Sequence, residues 1–231
     1  MLMNEAATSR CYDLWSQFYD RTFGRLVHRR QLRAVDQLRP KAGQRVLDIG
    51  VGTGMTLCHY PKNVRVVGLD LSSGMLTKAV HKIRQHRLDR CLVVQADAML
   101  PPFDDCSFDH IMISHTISVV SDPARLLRWA RRLVKPGGRI VVLNHFQSPV
   151  APVAWLERLA NPLCTKVGWR SDLSLEECLA SVDLHVQYRF KISLVDFWQI
   201  VVLRDHQPGL TRGLCSDAGV TAVSQLAMDG S

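Results

Sequence analysis

The sequence lacks any long apolar run. Its longest apolar stretches, 140–143 and 197–203, have the length of a strand, whereas a helix that spans a bilayer needs about 20 apolar residues. No apolar segment opens the chain either, because Asn4, Glu5 and Arg10 interrupt the stretch that a secretory signal would need. We therefore expect a cytoplasmic protein that contacts the inner face of the cell membrane only peripherally.

Paired cysteines and acidic residues are also scarce. The 7 cysteines form no C-x-x-C pair, so the pattern predicts neither a disulfide framework nor a metal site, and we expect reduced thiols. The 21 acidic residues are outnumbered by 29 Lys and Arg, which gives a formal net charge of +8. Such a surface attracts anions, namely nucleic acid, anionic lipid or phosphorylated small molecules, although charge also simply favours solubility.

The length of the chain limits the number of domains. With 231 residues, of which 47% are hydrophobic, the chain can bury one sizeable core and is short for two domains. We predict N-terminal amphipathic helices over residues 1–40, a central domain over 41–205 and a weakly ordered, glycine-containing tail over 206–231.

The N-terminal segment has an unusual charge pattern. Arg21, Arg25, Arg29 and Arg33 recur every four residues, so they form one stripe on a helix whose other positions supply apolar surface. Such a basic amphipathic helix can lie in a lipid interface, as a lid over the substrate, or cover the domain with a solvated face. The sequence leaves both interpretations open.

From residue 45 onwards, short β-branched runs alternate with helical stretches, which is typical of βαβ units and a mostly parallel sheet. The pattern predicts a Rossmann-like α/β fold with seven strands and with helices on both faces. The last two strands leave no room for a helix between them, so we expect an antiparallel strand at the sheet edge. The predicted strands are 45–49, 64–70, 91–95, 108–114, 138–144, 184–192 and 196–204. The predicted helices lie near 53–60, 73–86, 123–133 and 173–181, and a tight Lys-Pro-Gly-Gly turn at 135–138 precedes the fifth strand.

A glycine-rich turn follows the first strand. Gly50, Gly52 and Gly54 are spaced G-x-G-x-G, and such glycines let the backbone approach a ligand closely. Asp48 precedes the turn by two residues, where it would repel the pyrophosphate of a dinucleotide and would suit a cationic or amino-bearing ligand.

Carboxylates also mark the next two strand ends. Asp70 ends the second strand about 20 residues after the first glycine, where a carboxylate can accept both hydroxyls of a ribose. Asp97 follows the third strand and can accept a hydrogen from the amino group of adenine. Because ligands of open α/β sheets bind at the carboxyl ends of the strands, this succession predicts a nucleoside site.

These residues resemble those of the class I S-adenosylmethionine-dependent methyltransferases. The resemblance covers 45–144 and includes the Leu-Pro-x-Phe turn at 100–103, the Ser-Phe-Asp strand entry at 107–109 and the turn before the fifth strand. It implies S-adenosylmethionine as the cofactor. The cofactor-binding residues that it implies are Asp48, Gly50, Gly52, Gly54, Asp70, Leu71, Asp97, Ala98, Met99 and Ser114.

Two further motifs look like those of the bacterial phospholipid N-methyltransferases, which act on phosphatidylethanolamine. They are the Tyr-x-x-Trp-x-x-x-Tyr-Asp motif at 12–20 and the Leu-Asn-His-Phe strand end at 143–146. The resemblance implies methylation of a lipid amine towards phosphatidylcholine. Candidate proton acceptors are Tyr19, His115 and His145. Candidate partners of the headgroup cation or phosphate are Tyr12, Trp15, Tyr19, Asn144, His145 and Arg170.

Other interpretations remain open at this point. A methyltransferase of a soluble small molecule or a quinone would share the cofactor motifs, and a membrane-binding module could keep the fold without catalysis. The three aromatic residues of the N-terminal motif also suit the core of an amphipathic helix. We expect no nucleic-acid substrate, because the fourth strand ends in Ser-His-Thr-Ile at 114–117 and not in the Asn/Asp-Pro-Pro-aromatic motif that holds a flipped base.

Overall fold

A computed structural model describes residues 23–148, 155, 159, 172–193 and 196–206, with the side chains of 23–26 left out. The predicted tail beyond residue 206 and the N-terminal motif at 12–20 lie outside the described residues.

The central element is a seven-stranded sheet with the strand order β3-β2-β1-β4-β5-β7-β6. This confirms the predicted Rossmann-like fold. Strands β1 to β5 are parallel, and β7 runs antiparallel between β5 and the edge strand β6. The strands are β1 (Arg45–Ile49), β2 (Arg65–Asp70), β3 (Cys91–Gln95), β4 (Phe108–Ser114), β5 (Val134–His145), β6 (Leu184–Phe190) and β7 (Trp198–Asp205).

Helices cover both faces of the sheet. Three of them begin at a residue whose side chain accepts the backbone N–H three positions later, which satisfies one of the free donors of the first turn; these capping residues are Ser72, Asp122 and Ser174. The helices are α1 (Phe23–Leu38), α2 (Ser73–Gln85), α3 (Pro123–Leu133) and α4 (Leu175–Leu179).

Two local predictions were wrong in detail. The helix expected at 53–60 is a single 3-10 turn, Leu57–His59, because Gly54 still has a positive φ of 74° and Tyr60 precedes a proline, which disfavours helical backbone. The turn expected at 135–138 is a bulge within β5, since the pairing jumps from Phe108↔Val134 to His110↔Arg139.

The two faces of the sheet have separate cores. Helices α1 and α2 pack on one face, where Ala34 and Leu38 of α1 meet Met112 and Leu143, whereas α3 and α4 cover the other. Helix α1 starts near the carboxyl ends of the parallel strands and runs back across the sheet. Its N-terminal half therefore lies beside the edge at which ligands bind in this type of fold.

The cysteines depart from the expectation of reduced thiols. Cys58, Cys91 and Cys178 are free, but Cys106 is disulfide-bonded.

Within the described part of the chain, no helix is long and apolar enough to cross a membrane, and no three His, Cys, Asp or Glu side chains are grouped as metal ligands.

Candidate functional site

The candidate site lies at the edge where the parallel strands end. Register brings the ends of β1, β2 and β4 side by side, because Ile49 pairs with both Leu69 and Ile113, and Asp70 pairs with Gln95 at the end of β3. The strand order reverses between β1 and β4, which opens a crevice at their ends. The predicted residues that follow these strands are thus brought together.

The glycine turn after β1 has three positive φ angles, of 73° at Gly50, 55° at Gly52 and 74° at Gly54, a conformation that favours glycine. A Cβ at Gly50 would overlap the side chain of Thr116, and one at Gly54 would lie 2.8 Å from Leu57. A Cβ at Gly52 would meet nothing within 4 Å. Packing therefore leaves no room for a side chain at Gly50 or Gly54, while Gly52 leaves open space for a ligand.

Asp70 is fixed by backbone donors on both sides. Its Oδ2 accepts the N–H of Gly52 and its Oδ1 accepts the N–H of Ser72, each at 2.9 Å. The carboxylate thereby joins the glycine turn to the start of α2. A carboxylate offers about four lone-pair sites, so these two donors do not exhaust its capacity to accept ribose hydroxyls.

Asp48 lies behind the turn and is 1% exposed. The hydroxyls of Thr56 and Tyr60 both donate to its Oδ2 at 2.9 Å. Burial raises the pKa of Asp48 from 3.8 to about 6, against the lowering effect of the two hydrogen bonds, and the nearby Asp70 carboxylate raises it further. Asp48 therefore ties the end of β1 to Thr56 and Tyr60 behind the turn, and its indirect role towards the ligand stays a prediction.

The segment after β3 is held from two directions. Asp97 accepts the N–H of Met99 through Oδ1 at 2.7 Å, and the indole Nε1 of Trp129 in α3 donates to the carbonyl of Met99 at 2.9 Å. Ala98 is buried beside Met99, and the partly exposed Leu71 follows β2 on the neighbouring side. Sequence reasoning missed Trp129, because no motif connects it to residues 30 positions earlier.

At the end of β4, two predicted residues have unexpected surroundings. The Ser114 hydroxyl accepts the Nε2 hydrogen of Gln31 in α1 at 3.4 Å. His115 has a φ of 59°, and its ring meets Trp198 edge to face, with centroids 6.1 Å apart. Burial, aided by the charge of Arg30, lowers the pKa of His115 to about 4. This imidazole is therefore neutral near pH 7 and a weak proton acceptor.

The end of β5 holds the two remaining described candidates. Asn144 is 1% exposed and uses both ends of its amide, since Oδ1 accepts from Ser118 at 3.0 Å and Nδ2 donates to the carbonyl of His145 at 2.6 Å. Nδ1 of His145 lies 2.9 Å from the carbonyl of Phe197. A carbonyl can only accept, so Nδ1 carries the proton, and Nε2 is the acceptor of the neutral ring.

An ion pair between the partly exposed Arg30 and the buried Asp196 completes this end of the sheet. Nε of Arg30 donates to both carboxylate oxygens of Asp196 at 2.9 Å, and its guanidinium lies 4.6 Å from the centre of the Trp198 ring. Asp196 also accepts the N–H of Trp198 at 3.1 Å. The segment before β7 is thus fixed at the site, with Phe197 69% exposed. Sequence reasoning missed this pair, whose members are 166 positions apart.

Four predicted substrate residues, Tyr12, Trp15, Tyr19 and Arg170, lie outside the described residues, so their roles stay predictions. Of the arginine stripe, Arg29 and Arg33 are described and exposed on α1.

Comparison with known proteins places these features in a family. Residues 47–142 match the model of a methyltransferase domain. The chain is 34% identical over 181 residues to the phosphatidylethanolamine N-methyltransferase of Cereibacter sphaeroides, covering 78% of this chain and 88% of that protein. It is 39% identical over 153 residues to the demethylmenaquinone methyltransferase of Clavibacter sepedonicus, covering 63% and 60%, respectively.

Solved structures share the fold. The putative methyltransferase from a complex with the Haloferax volcanii Trm112 activator has a TM-score of 0.68 at 20% identity, covering 84% of this chain and 95% of that chain. A methyltransferase from Thermotoga maritima, described as a possible histamine N-methyltransferase, has a TM-score of 0.60 at 24% identity, covering 85% and 99%. Identities this low show the fold alone.

Proposed function

We propose that this chain, which belongs to the class I S-adenosylmethionine-dependent methyltransferases, methylates the amine of phosphatidylethanolamine. It also methylates the mono- and dimethylated forms, so that the series leads to phosphatidylcholine. The observation that carries this proposal is the match to the Cereibacter sphaeroides enzyme, which extends over 181 residues and 88% of that protein. This length reaches well beyond the methyltransferase domain at 47–142. The matched part of the demethylmenaquinone methyltransferase is 60% of its length.

S-adenosylmethionine is the cofactor of this family and of this chain, and the residues present fit it. The open face at Gly52 leaves room at the glycine turn, Asp70 is oriented by two backbone donors, and the segment 97–99 is fixed on both sides. We assign these three features to the methionine, ribose and adenine parts in turn. When bound, the cofactor supplies a methyl group on a sulfonium, which an amine displaces in line.

The protein's main task in such a displacement is to align the two reactants and exclude water. The attacking amine must be neutral, so a side chain has to receive its proton. Between the two described candidates, His145 has its Nδ1 hydrogen committed to the Phe197 carbonyl, so that Nε2 accepts. The lowered pKa of His115 makes it a weak proton acceptor near pH 7. We therefore favour His145 for holding the proton, with Tyr19 as the predicted alternative outside the described residues.

Access to a lipid requires attachment to a membrane. Arg29 and Arg33 are exposed on α1, and Phe197 presents an aromatic ring beside the site. Exposed cationic and aromatic side chains both suit an anionic lipid surface. We infer peripheral attachment to the inner face of the cell membrane, with phospholipid as the partner and no nucleic-acid substrate.

Vesicle flotation tests this attachment. Charge reversal by Arg29→Glu and Arg33→Glu should weaken binding to anionic vesicles in low salt by about thirtyfold or more, because each lost cation costs about 1 kcal/mol near such a surface and the new carboxylates add repulsion. Reversal of the exposed Arg90, at the opposite edge of the sheet, is the control. Equal flotation of all variants would refute attachment through α1.

The function itself is tested by incubating the purified full chain with labelled S-adenosylmethionine and vesicles of phosphatidylethanolamine, followed by chromatography of the lipids. We expect label in the lipid headgroup. Parallel incubations contain demethylmenaquinone or RNA, and label in either of these but not in lipid would refute the proposal. Asp70→Asn should lose activity, whereas Asp89→Asn, an exposed carboxylate before β3, should keep it.

A further inference from the structure

Two polar atoms on α1 are buried without a hydrogen-bond partner among the described residues, namely Oε1 of Gln31 and Nδ1 of His28. Residues three positions apart lie on neighbouring parts of one helix face. Gln31 is only 9% exposed, and buried polar side chains normally find a partner. An amide oxygen left in this state is available to accept a hydrogen bond from a ligand.

Gln31 is placed at the site by the other end of its amide. Nε2 donates to the hydroxyl of Ser114, the last residue of β4. Two residues further, the hydroxyl of Thr116 donates to the carbonyl of Ile49 at 3.1 Å and packs over Gly50. The Gln31 amide therefore lies beside the crevice between β1 and β4, close to the glycine turn.

A second buried amide at the same edge behaves differently. Asn144 has both ends of its amide bonded within the protein, although it is buried at least as deeply as Gln31. Burial at this edge therefore does not by itself leave an amide oxygen without a partner, and Gln31 presents such an oxygen from α1.

We propose that Oε1 of Gln31 accepts a hydrogen bond from the acceptor amine, which makes Gln31 a substrate-positioning residue for N-methylation. This inference rests on the proposed function. A neutral amine has one lone pair, and a hydrogen bond from its N–H to a fixed oxygen orients that lone pair. Methyl transfer then forms the new N–C bond from this lone pair, breaks the S–C bond and leaves neutral S-adenosylhomocysteine and a cationic nitrogen. After the first and second methylations, the cationic nitrogen releases one proton before it can accept the next methyl group.

The number of N–H groups on the acceptor gives the proposal a sharp consequence. Neutral phosphatidylethanolamine has two, its monomethyl form has one, and its dimethyl form has none. Gln31 can therefore assist the first and second methylations and has nothing to accept in the third. A side chain with a merely structural role would affect all three steps alike.

The test compares the full-length wild type with Gln31→Leu on vesicles that contain each of the three lipids. We expect kcat/KM to fall about tenfold for the first two, the size expected for one lost hydrogen bond, and to stay unchanged for the dimethyl lipid. The dissociation constant of S-adenosylhomocysteine should not change. Gln37→Leu, at the far end of α1, is the matched control, and Gln31→Met replaces Gln31→Leu if the latter does not fold.

The possible failures differ from one another. Equal losses on all three lipids, or no loss on any, would overturn the role of Gln31 while leaving the proposed function intact. Weaker binding of S-adenosylhomocysteine would also overturn it and would assign the amide oxygen to the amino group of the cofactor. If the wild type labels none of the lipids, the proposed function fails, and the inference fails with it.

Discussion

The cofactor side and the acceptor side of the site are built from contacts of different range. On the cofactor side, the carboxylates bond to residues nearby in the chain: Asp97 to Met99 and Asp70 to Ser72 span two positions, Asp48 to Tyr60 spans 12, and Asp70 to Gly52 spans 18. On the acceptor side, the contacts span 52 positions for His145 to Phe197, 83 for Gln31 to Ser114 and 166 for Arg30 to Asp196. The cofactor side is therefore fixed locally, while the acceptor side depends on how α1 and β7 meet.

The largest expected effect on stability comes from breaking the contact between the residues that are farthest apart in the sequence, Arg30 and Asp196. Arg30→Met removes the partner of Asp196, whose side chain is 1% exposed, so an uncompensated charge is left buried. We expect a loss of about 3 kcal/mol in the free energy of unfolding, measured by urea denaturation, with the affinity for S-adenosylhomocysteine unchanged.

The double variant Arg30→Met/Asp196→Asn removes the buried charge and should regain much of the lost stability. If Arg30→Met lowered the free energy of binding of S-adenosylhomocysteine as much as the free energy of unfolding, the cofactor side and the acceptor side would be coupled. That result would contradict their separation.

This difference in range explains what the sequence could predict. The parallel strands β1 to β4 and the residues at their ends follow from local patterns, because a glycine turn or a strand-ending carboxylate is set by its neighbours. The position of Gln31, the Arg30–Asp196 pair and the clamp by Trp129 depend on packing between distant segments. No spacing in a single chain encodes such a meeting.

The next largest expected effect is a change in the stability of the protein with pH, caused by Asp48 on the cofactor side. Asp48 has a pKa of about 6 in the folded chain and an ordinary value of 3.8, so the folded state binds its proton more tightly. Its contribution to stability is complete below pH 3.8 and is lost as pH rises through 6. The loss amounts to about 3 kcal/mol, since one pKa unit is 1.36 kcal/mol.

Urea denaturation between about pH 3.5 and 7.5, a window that includes both the ordinary and the folded pKa, measures this loss. In Asp48→Asn the fall in stability with rising pH should be smaller than in the wild type. In Tyr60→Phe the transition should shift to higher pH, because a hydrogen bond that favours the ionised carboxylate is removed. Identical pH profiles for the wild type and Asp48→Asn would contradict the role of burial.

The smallest expected effect tests an exception, since the cofactor side also has contacts of longer range, one of them at the adenine segment. Trp129 in α3 donates to the carbonyl of Met99, 30 positions earlier, and Arg132 both stacks on its ring at 4.5 Å and pairs with Asp105 at 3.0 Å. If the indole N–H positions the adenine segment, Trp129→Phe should weaken binding of S-adenosylhomocysteine about fivefold, as expected for one neutral hydrogen bond.

Arg132→Leu separates that hydrogen bond from the packing around it, because the variant loses the stacking and the ion pair while the indole N–H stays. Calorimetry should therefore give a wild-type affinity for Arg132→Leu and a weakened one for Trp129→Phe. Equal weakening in both would mean that the ring holds the segment by packing, and a wild-type affinity in both would mean that Asp97 alone fixes Met99. In that last case the adenine segment would be fixed locally, which would sharpen the contrast with the acceptor side.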